Sequence, residues 1–206
     1  MNNIGIFGGS FNPPHIGHLI LAERCRELLK LDKIIFIPAY IPPHKIDMDL
    51  INPKHRLKML KLTIKGNPYF DYSDIEIKRK GKSFTYDTLI SLQNKYTKSK
   101  LYLIIGMDNY NDFCNWKNYK EILRLCKVVV INRHVTKSKK IKKSNKNIAT
   151  PNYDNLITHK NFIFIDTPII DISSTDIRNR IKNGLPIKYY TTENVEKFII
   201  KNNFYI

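Results

Sequence analysis

Five short runs of residues along the chain are almost wholly apolar and do not alternate with polar positions. They lie at residues 4–7, 34–37, 101–105, 128–131 and 162–165. Strands with this pattern are typically covered on both faces, as the strands of a parallel sheet are. The pattern therefore predicts the central strands of a mainly parallel sheet.

Segments with the apolar spacing of helices separate these runs. A helix is predicted from about Gly17 to Lys30, with one apolar stripe. Asn52 and Pro53 are a favourable N-cap and first helical residue, so a second helix begins there and carries Leu57, Leu60 and Ile64 on its apolar side. Further helices are predicted over 85–96 and 118–125, with two more beginning near residues 173 and 191.

Residues 69–79 alternate instead, with Ile75 and Ile77 on one side, which predicts an outer strand. The succession of strands and helices is typical of a doubly wound, Rossmann-like α/β fold. We expect one domain over residues 1–206, with a variable basic loop or insertion over about 134–160. Residues from about 173 to 206 should form a C-terminal helical part packed on the same domain.

The chain is strongly basic, with 35 Lys and Arg against 18 Asp and Glu, a net charge of +17. Six lysines fall between Lys137 and Lys146, and the others are spread along the chain. Phosphate contacts with a nucleic acid are one interpretation. A coding bias towards Lys, or a general attraction for small phosphorylated substrates, is another. Charge by itself is weak support for nucleic-acid binding.

The three cysteines form no C-x-x-C pair, and no apolar stretch approaches the ~20 residues of a membrane helix. The first residues also lack the pattern of a secretory signal. We therefore expect a cytoplasmic protein with no membrane contact. The sequence does not determine whether the protein is a monomer or a homo-oligomer.

The first chemical motif follows the first apolar run: glycines and Ser10, then His15-Ile16-Gly17-His18 at the start of a helix. Glycines let backbone approach a phosphate, and a helix N-terminus attracts anions. The motif is neither the dinucleotide fingerprint nor a P-loop. The two histidines could bind a metal, play a structural part or bind phosphate, and the glycine turn favours phosphate.

The second motif, Ser173-Ser174-Thr175-Asp176, is a strong helix start followed by Arg178. Taken by itself it is best interpreted as a cap, with Ser173 and Asp176 in capping-box spacing. Hydroxyls, amides and a guanidinium at one helix N-terminus also form an anion site. Together with the first motif, it predicts the second half of a triphosphate clamp.

These two motifs resemble those of the HxGH nucleotidyltransferases, which carry an HxGH turn and a C-terminal I-S-S-T-x-I-R. Within that superfamily the chain is similar to the bacterial nicotinate-nucleotide adenylyltransferases over most of its length. The similarity includes residues 42–45, 83–89, 106–108, 113–116 and 121–123. It implies adenylyl transfer from ATP to nicotinate mononucleotide, which gives deamido-NAD and pyrophosphate by direct attack, with no covalent intermediate.

The resemblance also implies roles for particular residues. It assigns catalysis to His15, His18 and Arg178. It assigns ATP binding to these three together with Gly8, Gly9, Ser10, Phe11, Gly106, Asp108, Ser173, Ser174 and Thr175. It assigns the binding of nicotinate mononucleotide to Lys45, Thr85, Tyr110, Trp116 and Arg133.

Mg²⁺ is the implied cofactor, and we expect phosphates and water, rather than protein side chains, to hold it. The expected partners are the small molecules ATP and nicotinate mononucleotide. Two alternatives stay open: a sister adenylyltransferase that uses nicotinamide mononucleotide or phosphopantetheine, and a basic nucleic-acid-binding protein.

Overall fold

The computed structural model describes residues 2–43, 50–133, 161–167 and 169–206, with only the backbone of residues 132, 133 and 166. The basic loop predicted over about 134–160 lies outside the described residues. The predictions for the domain extent and for the role of residues 137–146 therefore stay predictions.

Six strands form a single parallel sheet, which confirms the predicted fold class. The strands are β1 (Asn2–Gly9), β2 (Lys33–Pro38), β3 (Phe70–Tyr72), β4 (Ser99–Gly106), β5 (Lys127–Arg133) and β6 (Phe162–Thr167). Their order across the sheet is β3-β2-β1-β4-β5-β6. Each of the five predicted apolar runs forms the centre of a strand, and Ile6 pairs with both Ile35 and Leu103.

The described helices connect or follow these strands. They are α1 (Ile16–Leu29), α2 (Pro53–Ile64), α3 (Ile75–Arg79), α4 (Thr85–Lys95), α5 (Met107–Asn111), α6 (Tyr119–Leu125), α7 (Ser174–Lys182) and α8 (Glu193–Lys201), with a short 3-10 helix at Phe113–Asn115. None of the described helices is long and apolar enough to cross a membrane.

The sheet is covered on both faces, as the unbroken apolar runs predict. On one face, Leu21 and Cys25 of α1 and Leu60 of α2 pack against strand residues such as Phe36. On the other face, helices α4 and α6 cover strand residues such as Ile6. A third cluster joins α2 to the C-terminal helices through Met59, Ile177, Val195, Ile199 and Tyr205.

The predicted outer strand over residues 69–79 is wrong for most of its length. Only Phe70–Tyr72 form a strand, and Ile75–Arg79 form the short helix α3. The alternating pattern was misleading because its polar member, Glu76, is the residue that is buried. The Thr88 hydroxyl donates a hydrogen bond of 2.6 Å to the Glu76 carboxylate, and this bond satisfies a polar group inside the fold.

The N-cap and first residue predicted for α2 are confirmed, since the Asn52 side chain accepts a hydrogen bond from the Lys54 amide. The predicted apolar stripe is confirmed at Leu60 and Ile64, which are buried, whereas Leu57 is only half-buried. The buried residues of α2 are Arg56, Met59, Leu60, Thr63 and Ile64. A charged residue therefore occupies the inward face of this helix.

Candidate active site

The candidate site lies where the strand order changes direction. Strand β1 stands between β2, which precedes the crossover through α2, and β4, which leads to α5 and α6. The carboxyl ends of β1 and β4 carry Gly9 and Gly106 at this point. In open α/β sheets ligands bind in the crevice at such a switch point. The first motif therefore lies where the topology places a ligand.

Gly8 and Gly9 end β1 and carry no side chain, so their backbone lines the crevice directly. Phe11 follows with φ of 47° and is 1% exposed, with its ring 5.1 Å from that of His18 between centroids. Because the Phe11 ring is buried, its predicted contact with ATP can involve only its backbone. The ring itself supports the turn and the second histidine.

The two histidines come together at the N-terminus of α1. His15 is the N-cap, and its amide donates a hydrogen bond of 3.1 Å to Nδ1 of His18. The two imidazole rings are in contact, with centroids 3.7 Å apart and planes tilted by 31°. A Cβ on Gly17 would lie 3.0 Å from Nδ1 of His15, so the glycine of the motif makes room for this ring. The H-x-G-H spacing thus has a steric explanation.

The second motif meets the first, although more than 150 residues separate them in sequence. The Ser174 hydroxyl donates to the Pro13 carbonyl at 2.7 Å, and the Arg178 guanidinium donates to the Asn12 carbonyl at 2.9 Å. Arg178 also donates to the Thr175 hydroxyl at 3.2 Å. Helix α7 therefore begins beside the glycine-rich turn, and the predicted halves of the clamp lie together.

Ser173 and Asp176 form the predicted helix cap. The Ser173 side chain accepts a hydrogen bond of 3.0 Å from the Asp176 amide. Capping occupies the Ser173 hydroxyl with a backbone donor, while Thr175 stays exposed. The cap and the anion site predicted for this segment are therefore compatible.

A cavity of about 230 Å³ extends from the glycine-rich turn along the carboxyl edge of the sheet. Its lining includes six of the predicted binding residues, namely Gly8, Gly9, Ser10, Thr85, Gly106 and Trp116. Two aromatic side chains, Phe84 and Trp116, also line it. The glycine-rich turn and an aromatic wall formed by these two side chains thus share one cavity.

Polar side chains that sequence analysis missed complete the wall at α4. Glu76, Ser83 and Thr88 line the cavity beside Thr85. Burial raises the pKa of the Glu76 carboxyl, and hydrogen bonds from Thr88 and Ser83 act in the opposite direction. No sequence motif marks Glu76, since its spacing suggests a solvent-exposed position.

An ion pair joins the two segments at the mouth of this wall. The Lys117 ammonium lies 3.1 Å from the Asp87 carboxylate and 4.9 Å from the centroid of the Phe84 ring. Lys117 follows Trp116, and Asp87 lies in the first turn of α4. The pair therefore connects the loop that carries the tryptophan to the helix that carries Thr85.

Eleven of the predicted site residues are not among those that line the cavity. Seven of them belong to the two motifs, at the glycine-rich turn and at the starts of α1 and α7, namely Phe11, His15, His18, Ser173, Ser174, Thr175 and Arg178. The other four are Lys45, Asp108, Tyr110 and Arg133. Tyr110 is 5% exposed and packs its ring against Phe162 and Phe164. Asp108 is exposed in α5, one residue before the lining residue Asn109. Lys45 lies outside the described residues, and so does the side chain of Arg133. Their assigned roles stay predictions.

The described residues contain no group of three or more His, Cys, Asp or Glu side chains that could hold a metal ion. All three cysteines are free, with Cys25 and Cys126 buried.

Comparisons with known proteins agree with this geometry. A model of the cytidylyltransferase-like family matches residues 6–180. A protein of Clostridium botulinum (strain Langeland) named probable nicotinate-nucleotide adenylyltransferase is 40% identical, and the match covers 100% of both chains. A protein of the same name from Dictyoglomus turgidum is 39% identical over 98% of this chain and 95% of its own.

Solved structures share the fold. The nicotinic acid mononucleotide adenylyltransferase of Plasmodium falciparum, in a complex with NaAD, has a TM-score of 0.76 at 20% identity. That match covers 100% of this chain and 98% of the other. A nicotinate-nucleotide adenylyltransferase from Vibrio parahaemolyticus has a TM-score of 0.67 at 24% identity, with 100% and 96% covered. At these identities the likeness shows the common fold.

Proposed function

The chain belongs to the cytidylyltransferase-like family and, within it, to the nicotinate-nucleotide adenylyltransferases, and we propose that it transfers the adenylyl group of ATP to nicotinate mononucleotide. The products are deamido-NAD and pyrophosphate, as in NAD biosynthesis. The observation that carries the proposal is the single cavity that joins the glycine-rich turn to the wall of Thr85 and Trp116. It provides one place for phosphates and one for an aromatic ring.

The reaction is an in-line displacement at phosphorus. A 5′-phosphate oxygen of nicotinate mononucleotide forms a bond to the α-phosphorus of ATP, and the bond to the bridging oxygen of pyrophosphate breaks. A phosphate monoester has a second pKa near ~6, so the attacking oxygen is already anionic at neutral pH. No general base and no covalent intermediate are needed.

The catalytic task is to bring anions together and to stabilise the charge on the leaving pyrophosphate. We assign His15 and His18 to the triphosphate, with His18 beside the α-phosphate. Arg178 and the N-terminus of α7 are assigned to the β- and γ-phosphates. The hydrogen bonds from Ser174 and Arg178 to the turn support this assignment, because they hold the two anion-binding segments side by side.

Mg²⁺ belongs to the proposal as an ion carried by ATP. Bound to the triphosphate, it would neutralise part of the negative charge. None of the carboxylates of the chain is assigned to it.

The acceptor ring is assigned to the aromatic wall. Trp116 is the only tryptophan of the chain and contacts the core ring of Phe113 at 5.3 Å between centroids, so its plane is supported from within. The first turn of α4 presents backbone N–H groups around Thr85 to the same cavity. Donors at a helix N-terminus suit the carboxylate of nicotinate.

The free state of all three cysteines is typical of proteins from a reducing compartment, and we place the reaction in the cytoplasm.

The test is pyrophosphate release from ATP and Mg²⁺ with a panel of acceptors. Nicotinate mononucleotide, nicotinamide mononucleotide and phosphopantetheine are compared at equal concentrations. The proposal expects the highest kcat/KM with nicotinate mononucleotide. Release with phosphopantetheine only would favour the sister activity. Inactivity with every acceptor, together with salt-sensitive binding of mixed DNA, would favour the nucleic-acid alternative.

A further inference from the structure

Arg56 is a charged residue inside the protein that the proposed reaction does not use. It lies on the inward face of α2, is 0% exposed and is the largest of the fully buried side chains among the described residues. Burial lowers the pKa of its guanidinium to about 10, so the group still carries its charge at neutral pH.

Each nitrogen of the guanidinium donates to a backbone carbonyl. Nη1 donates to Ser10 at 2.7 Å, Nη2 to Tyr40 at 3.0 Å and Nε to Ile51 at 3.1 Å. The three acceptors belong to different segments: the turn after β1, the segment after β2 and the approach to α2. One planar group thus fixes the separation of three pieces of backbone.

Stability is a poor explanation for this residue. A buried charge is costly even when it is hydrogen-bonded, and an apolar side chain of similar volume is often equally good for the fold. Met59, Leu60 and Ile64 on the same face of α2 show that apolar side chains fit there. The hydrogen bonds to the three segments distinguish Arg56 from these neighbours.

Two of the three segments reach the cavity. Ser10 lines it directly, and Ala39 and Pro42 line it on either side of Tyr40 along the chain. The Tyr40 amide in turn donates to the Ser83 hydroxyl at 2.8 Å. Ser83 lines the cavity and hydrogen-bonds the Glu76 carboxylate. A continuous series of hydrogen bonds therefore runs from the phosphate-binding turn, through Arg56, to the wall assigned to the acceptor.

We infer that Arg56 is a positioning residue, which holds the glycine-rich turn at a fixed distance and orientation from the acceptor wall. Because the turn is assigned to ATP and the wall to the acceptor, the inference rests on the proposed function. A guanidinium suits the task since its donors point in fixed directions within one plane. A lysine ammonium carries the same charge on one atom and cannot reach three separated carbonyls.

The test compares Arg56→Lys with Thr63→Val, a control in the same helix. Thr63 is also buried, but its hydroxyl donates within α2 to the Met59 carbonyl at 2.9 Å, away from the turn. Thermal unfolding, kcat and both KM values are measured for each variant and for the wild type. Wild-type turnover of nicotinate mononucleotide comes first, because its absence would refute the proposed function and not the role of Arg56.

The inference expects folded Arg56→Lys with kcat at least about 10-fold lower, since misaligned phosphates react slowly even when they bind. In Arg56→Lys, KM for ATP should rise by a smaller factor than the decrease in kcat. Thr63→Val should keep kcat within about 2-fold of wild type, even where its loss of stability equals that of Arg56→Lys. Calorimetric titration with ATP provides a second comparison that does not depend on turnover. Equal kcat in wild type and Arg56→Lys would overturn the inference.

If Arg56→Lys does not fold, Arg56→Met is tested in its place, because methionine keeps an apolar side chain of similar length without a buried charge. A folded Arg56→Met with low kcat supports positioning in the same way. If neither variant folds, Arg56 is required for the fold itself and the inference is wrong.

Discussion

His15 and His18 begin α1 with their imidazole rings in contact, 3.7 Å apart between centroids. Their contact depends on Gly17, where any side chain would meet the His15 ring. At this scale the motif is a pair of contacting rings beside a glycine, whose missing side chain leaves room for them.

Replacing His18 with alanine tests the assignment to the α-phosphate. Loss of a preorganised donor to transition-state charge typically costs about 10²–10³ in kcat, so His18→Ala should lower kcat by at least ~10²-fold. Pyrophosphate release from ATP and nicotinate mononucleotide is the measurement. The control is His55→Ala, since His55 lies in α2 against Phe204 and should affect stability rather than kcat. A folded His18→Ala with near-normal kcat would remove His18 from the mechanism.

Replacing Gly17 with alanine tests the position of the other ring. The new Cβ would lie 3.0 Å from Nδ1 and 3.1 Å from Cε1 of His15, so the ring must move. Alanine is favoured over glycine in a helix by roughly 0.5–1 kcal/mol, which offsets the cost to the fold. We expect kcat about 10-fold lower with a small change in stability.

The matched control for Gly17→Ala is Gly5→Ala in the middle of β1. There the new Cβ would lie 2.9 Å from Leu31 and 3.0 Å from Ile34, both in the core. Such overpacking should cost about 1–3 kcal/mol of stability and leave the turn unchanged. Unfolding in denaturant and kcat separate the two effects. Full kcat in Gly17→Ala would show that the His15 ring need not be held in place.

At the scale of the elements, the loop between β1 and α1 is held by hydrogen bonds from residues in the C-terminal part of the chain. Carbonyls of Asn12, Pro13 and Pro14 accept hydrogen bonds from Arg178, Ser174 and Thr191, and the Asn12 side chain accepts one from the Tyr205 hydroxyl. Four residues of the C-terminal part thus hold one short loop. A loop with so many external donors is rigid before any ligand binds.

Arg178→Lys tests whether α7 contributes to ATP binding beyond its own cap. A lysine cannot replace a guanidinium that contacts the Asn12 carbonyl and the Thr175 hydroxyl together, so KM for ATP should rise about 10-fold or more. Arg180→Lys is the control in the same helix. Arg180 instead contacts the Pro186 carbonyl and the Tyr190 ring, away from the turn. Unchanged ATP kinetics in Arg178→Lys would leave Arg178 with a structural role only.

Across the whole molecule, the excess of basic residues and the position of the cavity bear on substrate choice. The net charge of +17 favours anionic ligands of any kind. Discrimination between an acid and an amide of the same shape needs directed donors. Thr85, at the N-terminus of α4, lines the same cavity as Trp116, and we expect the amides of this helix start to be such donors.

We expect kcat/KM to be about 10²-fold higher for nicotinate mononucleotide than for its amide. The amide of nicotinamide mononucleotide leaves a buried donor of the protein without an acceptor, which costs about 1–3 kcal/mol of binding free energy for each donor. Two such donors give a ratio of this size. Trp116→Ala should raise KM for both acceptors and change the ratio little, because stacking does not distinguish them. A wild-type ratio near one would refute selectivity for the acid. Loss of the selectivity in Trp116→Ala would show that the acceptor ring has been assigned to the wrong partner.

The pattern of the sequence was enough to predict the five central strands, their parallel arrangement and most helix starts, because burial on both faces and capping leave local signals. Asn52 and Ser173 are confirmed caps for that reason. The two phosphate motifs were also visible, since glycine spacing and a hydroxyl-rich helix start are local features. The identity of the chemistry came from the resemblance of these motifs to a family.

Tertiary structure decided what depends on contacts between distant residues. Glu76 looked exposed and made residues 69–79 resemble a strand, yet partners from α4 allow its burial. Tyr110 looked available to a substrate, yet it packs in the core against β6. Arg56 looked like one more surface charge until the fold placed three carbonyls around it. Burial of a polar group depends on partners that the fold brings from elsewhere, and no local pattern encodes them.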